Sequence, residues 1–207
     1  AGKGMGENSW ESEIGENLTF SIFLTPHFLR ADQQFFLNMA ISLGIYDYVK
    51  SVLGNEIVKI KWPNDIYVEN KKVAGILINH SISGHNIMHT VAGIGLNINQ
   101  KQFLSDAPNP VSFYQLSGIE YDLNECLTKL LSRLNERYYN LSLGNFSQLR
   151  SNYIDALFGY YKWLKFKQNK HKILARITGV SELGLLQLES ADMQVYECDL
   201  KEIEFLV

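Results

Sequence analysis

Asn64, Asp65 and Lys72 cluster at one end of a predicted β hairpin, within Lys59-Ile-Lys-Trp-Pro-Asn-Asp-Ile-Tyr-Val-Glu-Asn-Lys-Lys-Val-Ala-Gly-Ile-Leu77. A buried hairpin has no packing use for an amide, a carboxylate and an ammonium gathered together, so these residue types point to a polar or charged ligand. A lysine on a strand among glycines can set its ammonium on a carboxylate or phosphate, while the glycines leave the ligand room. The competing reading is a solvated turn lysine, with Asn64 and Asp65 as turn formers after Pro63. For the last two residues, turn and ligand roles are compatible.

A second candidate lies at the start. Glycines 2, 4 and 6 with Lys3 between them form a loop whose backbone can approach an anionic or planar ligand closely, although the spacing is neither a phosphate-binding Walker loop nor a dinucleotide fingerprint. Trp10 offers a stacking surface for a base, or a core residue. His80 and His89 are predicted to face each other, with His85 at the hairpin tip, but no third ligand of suitable type is placed nearby and metal binding is set aside. No Ser-His-Asp arrangement, cysteine nucleophile or CxxC pair is evident.

The elements that must position these residues follow from periodicity. Leu18 to Phe23 alternates as a half-buried strand, and the spacing from Asp32 to Leu53 predicts a long core helix capped by Asp32 and stopped at Gly54. Strands are predicted over 57–62, 66–69, 72–82 and 86–98, the last two joined by a two-residue turn with Gly84 first. That turn sets a register in which Ile82 faces Ile87, His80 faces His89 and Lys72 faces Asn97, with Ala74, Gly93 and Gly95 between as a floor nearly free of side chains; a bulge would shift it by one. A loop-rich stretch over 99–121 leads to a helix opened by Asp122 and Glu125 and ending near Gly144, then a shorter helix over 146–158. Five short strands are predicted over 162–168, 172–180, 184–190, 194–199 and 202–206, which suits a small β barrel or sandwich. The expected fold is α+β: a mixed or antiparallel sheet with helices packed on it in domain 1–159, plus a small C-terminal β barrel in domain 160–207.

Composition narrows the function classes. With 207 residues, 46% apolar and 20% charged, the chain can bury a full core, and a net charge of −3 gives no field to attract nucleic acid or an anionic membrane. Two cysteines, Cys126 and Cys198, make no disulfide framework, and no apolar run reaches the roughly 20 residues of a membrane span, so the expected location is the cytoplasm. Sheet edges leave homodimerisation open. Ala1 replaces an initiator methionine and opens directly into the glycine loop, so residues upstream are expected.

Taken in order, Gly2-Lys-Gly-Met-Gly-Glu-Asn-Ser-Trp10, Lys61-Trp-Pro-Asn-Asp-Ile-Tyr67, Lys71-Lys-Val-Ala-Gly-Ile-Leu77 and Gly93-Ile-Gly-Leu-Asn-Ile-Asn99 resemble the biotin protein ligase family, of the type without a visible DNA-binding domain. The resemblance implies a two-step ligase. Biotin and ATP, with magnesium carried by the ATP, form biotinyl-5'-AMP and pyrophosphate; a lysine of a biotin carboxyl carrier protein, as in acetyl-CoA carboxylase, then takes the biotinyl group. It also implies that Lys3, Gly4 and Met5 lie on the loop closing over biotin and adenylate, and that Trp10 and Asn97 flank the adenine. By the same resemblance Lys72 would bridge the biotin carboxylate and the α-phosphate, Gly75, Ile76, Gly93 and Gly95 would line the biotin slot, and Asn64 and Asp65 would sit near the phosphate, with Asp65 orienting or deprotonating the acceptor amine. The chain departs from the family in two places. Met5-Gly6-Glu7-Asn8 replaces the usual loop arginines, which shifts phosphate contact toward Lys3, and the upstream Ser-Thr-Asn strand and glutamine that hold the ureido ring are absent from residues 1–207. A lipoate or octanoate ligase or transferase of the related fold, and a non-enzymatic ligand-binding remnant, are the competing expectations.

Overall fold

The structure, a computed structural model, describes residues 2–3, 9–54, 58–105, 108–168 and 171–206. A two-stranded ribbon, β1 (Gly2–Lys3) with β2 (Ser9–Trp10), precedes the main sheet. That sheet contains β3 (Leu18–Leu24), β4 (Val58–Lys61), β5 (Asp65–Val68), β6 (Lys71–Ser83) and β7 (Asn86–Leu96), all antiparallel in the order β3-β7-β6-β5-β4. β4 is covered at its outer edge by residues 157–158, whose Phe158 N–H donates to the Ile60 carbonyl at 2.8 Å.

One face of this sheet is dry. Ile60, Ile66 and Ala74 lie on the strands that meet α1 (Gln34–Leu53), and Ile94 and Leu96 join the same core; α1 is apolar nearly all round because it lies between the sheet and two further helices, α3 (Leu123–Ser142) and α4 (Phe146–Ala156). A part-buried ion pair, Arg137 to Asp47 at 2.6 Å, joins α3 to α1. Asp122 caps α3 by accepting from the Glu125 N–H at 2.8 Å, as its spacing predicts. Asp32 does not cap α1. It lies in a short 3-10 turn over residues 31–33 and its carboxylate pairs with Arg30 at 2.9 Å, whereas Gly54, at φ 95°, does end the helix. The 99–121 connection holds a short helix, α2 (Phe113–Ser117), which the loop reading missed.

The predicted strands of the C-terminal region are present as β8 (Trp163–Gln168), β9 (His171–Val180), β10 (Leu186–Ser190), β11 (Val195–Cys198) and β12 (Ile203–Phe205). They form an antiparallel sheet ordered β11-β10-β9-β8-β12, and among the described residues β11 and β12 are not paired to each other. Cys126 and Cys198 are both buried and unbridged. Among the described residues no helix is long and apolar enough to cross a membrane.

The Pro63 kink ties these layers together. Its carbonyl accepts from the Tyr153 hydroxyl of α4 at 2.7 Å and the Asn38 amide of α1 at 3.2 Å, while the Trp62 indole donates to the Gly184 carbonyl of the C-terminal sheet at 2.9 Å. Tyr153 is fully buried, so Tyr153→Phe removes a shielded donor from a buried acceptor. The expected cost is about 1 kcal/mol in urea denaturation; an unchanged midpoint would mean that the hydroxyl contributes nothing to holding the kink.

Candidate functional site

The face of the main sheet turned away from α1 carries the chemistry, and cross-strand pairing decides which residues reach it. Lys61 pairs with Asp65, Asp65 with Gly75, Gly75 with Gly95 and Gly95 with Thr19, a single row running across all five strands. Directly opposed residues project to the same side, so the row places an ammonium and a carboxylate on the β4–β5 side, two bare glycines in the middle and a hydroxyl on the β3 side. Leu77, Gly93 and Ser21 form the next row.

The observed register corrects the predicted one. Ile82 faces Ile87 as expected, but Met88 is an extra residue on β7, so Ser81 faces His89 and His80 faces Thr90. The floor therefore uses Gly75 where Ala74 was expected; Ala74 turns into the core, and Lys72 does not oppose Asn97. The histidines do not meet. His80 Nδ1 lies 2.8 Å from the Thr90 hydroxyl and His89 stacks on Phe23, and among the described residues no group of three His, Cys, Asp or Glu side chains is placed to hold a metal ion.

A second bulge brings Lys72 to the site. Ile66 pairs with Ala74 but Tyr67 pairs with Lys72, which leaves Val73 as the extra residue. Regular alternation from Gly75 would turn Lys72 into the core with Ala74; the bulge re-aims it onto the glycine face. Its backbone is clasped between Asn109 and Val111, with the Lys72 N–H donating to the Asn109 carbonyl at 2.8 Å and its carbonyl accepting from the Val111 N–H at 2.9 Å. The side chain then reaches Asp65, with Nζ 2.8 Å from Oδ1.

Trp10 lies over the glycine floor. A Cβ added to Gly95 would fall 2.3 Å from Trp10 Cε2, so the ring requires glycine there, and one added to Gly75 would press on the ring at 3.0 Å from Cζ3. The Lys72 ammonium sits 5.6 Å from its centroid, and among the described residues the buried indole N–H has no hydrogen-bond partner. The flanking chain is anchored: Glu11 accepts from the Leu104 and Ser105 N–H groups, which holds its carboxyl below the usual range, and Asn17 accepts from the Ile98 N–H at 2.9 Å.

Together these groups border a cavity of about 620 Å³. Lys72, Asp65, Asn64, Trp10, Gly75, Ile76, Gly93 and Gly95 are among the residues that line it. Asn64 also braces the floor, its amide donating to the Ile76 carbonyl at 2.6 Å. Asn97 is placed differently. It is buried beside the cavity wall without lining it, donates to the Val111 carbonyl at 3.1 Å and serves as a strut. The Lys3 backbone pairs with Ser9; Gly4 and Met5 lie outside the described residues.

Sequence reasoning missed two contributions. Leu200, Ile203 and Phe205, well over a hundred residues from the hairpin, form part of the cavity wall, and no local pattern signals such a contact. Lys61 also lines the cavity, and the tight Trp-Pro-Asn turn could have placed it opposite Asp65. Burial pushes the Lys61 ammonium down from the usual lysine range, Asp65 opposing and Lys72 reinforcing the shift. Burial, with a smaller effect from Asp65, pushes the neighbouring Tyr67 phenol up to about 12.

The site is thus a glycine floor under an indole, ending in an ammonium–carboxylate pair. Residues 1–97 match the family model described as "Biotin/lipoate A/B protein ligase family". The likeness to that family rests on these 97 residues. The chain is 24% identical over 209 residues to "Bifunctional ligase/repressor BirA" of Bacillus spizizenii, covering 97% of this chain and 63% of that protein. It is 35% identical over 101 residues to "Biotin--[acetyl-CoA-carboxylase] ligase" of Paracoccus denitrificans, covering 47% of this chain and 40% of that one. The chain thus spans less than two thirds of the length of these relatives. It shares its fold with the Aquifex aeolicus biotin protein ligase solved with biotin and ATP, at a TM-score of 0.76 and 23% identity over 96% of this chain and 82% of that one.

Proposed function

We propose that this chain is the catalytic part of an ATP-dependent biotin protein ligase, with a catalytic unit over 1–159 and a smaller C-terminal unit over 160–207. The observation that carries the reading is the Lys72–Asp65 pair at the end of a glycine floor roofed by Trp10. Biotin lies along Gly93, beside the Trp10 ring that covers Gly75 and Gly95, with its carboxylate at Lys72. A carboxylate oxygen bonds to the α-phosphorus of ATP, the bond from that phosphorus to the bridging oxygen breaks, and the electron pair leaves with pyrophosphate. Lys72 meets the charge developing on the phosphoryl oxygens, an electrostatic role that strengthens as bound substrate displaces water from around it. Trp10 flanks the bound molecule, and Lys3, Gly4 and Met5 belong to the closing loop.

In the second step the acceptor lysine of a biotin carboxyl carrier protein attacks the acyl carbon; a C–N bond forms and AMP departs. Asp65 orients that amine and takes its proton. Magnesium accompanies the nucleotide, since Asp65 is the one carboxylate among the described residues lining the cavity and does not make a protein-borne metal site. We place the protein in the cytoplasm, consistent with its unbridged cysteines, and assign homodimerisation to the open edge of β3.

Asp65→Asn is expected to slow transfer from preformed biotinyl-5'-AMP to the carrier by about 10²-fold, with a smaller loss in adenylate formation, when the steps are followed separately in single turnovers. Equal losses in both steps would remove the base role. The reading as a whole is tested by thermal denaturation with biotin plus ATP against lipoate plus ATP. A rise in midpoint with biotin is expected, and a rise with lipoate alone would overturn the choice of substrate.

A further inference from the structure

Lys61 has no role in the chemistry above, yet its surroundings are those of a binding group. Its ammonium is half-buried, 3.3 Å from the Tyr67 hydroxyl and stacked over the rings of Tyr67 at 4.8 Å and Phe205 at 5.1 Å. Among the described residues no carboxylate forms an ion pair with it. Asp65, its cross-strand neighbour, is engaged by Lys72, and Glu204, beside Phe205, is engaged by Lys167 at 3.2 Å. Aromatic faces attract a cation but do not replace a counter-anion, and a desolvated charge without one is costly. Lys61 also lines the cavity, so an anion can reach it from there.

Position on the row says which anion. Moving outward from Gly75, a ligand meets Asp65 with Lys72, and one strand further it meets Lys61. If the α-phosphate sits at Lys72, which rests on the function proposed above, the group beyond it is the remainder of the triphosphate. We infer that Lys61 binds the β,γ-diphosphate of the nucleotide and receives it as the leaving group, with Tyr67 and Phe205 holding the ammonium in place. When the α-phosphorus bonds to the carboxylate oxygen and releases the bridging oxygen, the negative charge appears on the diphosphate, where Lys61 meets it without a proton transfer. Phe205 thereby couples the C-terminal sheet to the first half-reaction. The opening loop carries Met5-Gly6-Glu7-Asn8 and supplies no arginine for this task.

Lys61→Met keeps the aliphatic stem between the two rings and removes the charge; Lys61→Gln is a second neutral variant, and Lys61→Arg keeps the charge. Calorimetric titration with sodium pyrophosphate should show binding weakened about tenfold or more in both neutral variants and largely retained in Lys61→Arg. In biotin-dependent ATP–pyrophosphate exchange the KM for ATP should rise similarly, while the KM for biotin stays within about twofold. Equal pyrophosphate binding by the wild type and both neutral variants would overturn the assignment, as would an effect confined to the KM for the carrier protein. The titration requires no biotin chemistry. If exchange is absent from the wild type but the charge-dependent loss of pyrophosphate binding is seen, the anion site stands and the ligase reading fails.

Discussion

Lys72→Ala is expected to lower biotin-dependent adenylate formation by about 10²–10³-fold while leaving the fold intact, the scale expected when a preorganised charge is removed from the reacting centre. The side chain is part-exposed at the cavity rim and its backbone contacts to Asn109 and Val111 do not depend on it, so the loss falls on chemistry rather than stability. Truncation also leaves Asp65 without its 2.8 Å partner, facing an incoming carboxylate and phosphate with uncompensated negative charge. Lys72→Arg should recover little. A guanidinium is planar and spreads its charge over a rigid fork, so it does not reproduce a compact ammonium at the reacting centre. Exchange in Lys72→Ala within a few-fold of the wild type would remove Lys72 from the centre of the account.

Gly95→Val is expected to be the most damaging change to the floor. A Cβ there overlaps three atoms of the Trp10 ring at 2.3–2.8 Å, so the indole must leave the floor or the strands must part. Overpacking of this kind costs about 1–3 kcal/mol, which at this chain length lowers the melting midpoint by about 2–4 °C per kcal/mol. Biotin affinity should fall at least about tenfold, because the indole that borders the slot is displaced. A double-mutant cycle separates the causes: with Trp10→Ala present, adding Gly95→Ala should cost distinctly less than it does alone. Strict additivity would show that the glycine is required for something other than the indole.

The fate of particular residues shows how far local pattern reaches. The Gly84 turn and the first two pairs of the β6–β7 ladder follow from turn chemistry alone, and Ser83 does pair with Asn86. Beyond that point the register depends on Met88, whose extra place on the strand no alternation pattern marks. Val73 is a like case, because one bulged residue decides whether Lys72 faces core or cavity. Strand positions in the C-terminal region were legible from their alternation, but their docking was not; the Trp62 indole finds the Gly184 carbonyl 122 residues away, and Phe205 reaches Lys61 only once both sheets are in place. The short helix α2 did carry a signal. Ser112 and Gln115 make a reciprocal capping box, with the Gln115 N–H donating to the serine hydroxyl at 3.1 Å, which Pro108 and Pro110 obscured by marking the stretch as loop. Asn97, named by resemblance, proved to be a strut for the segment that clasps Lys72.

The central claim is that the glycine floor, Trp10 and Lys72 form and hold an acyl-adenylate. It is tested most directly by incubating the protein with biotin and ATP, isolating it by rapid gel filtration and identifying the bound small molecule by mass spectrometry. The account predicts biotinyl-5'-AMP on the wild type and none on Lys72→Ala. Recovery of free biotin alone from the wild type, or of the adenylate in equal amount from both proteins, would contradict it.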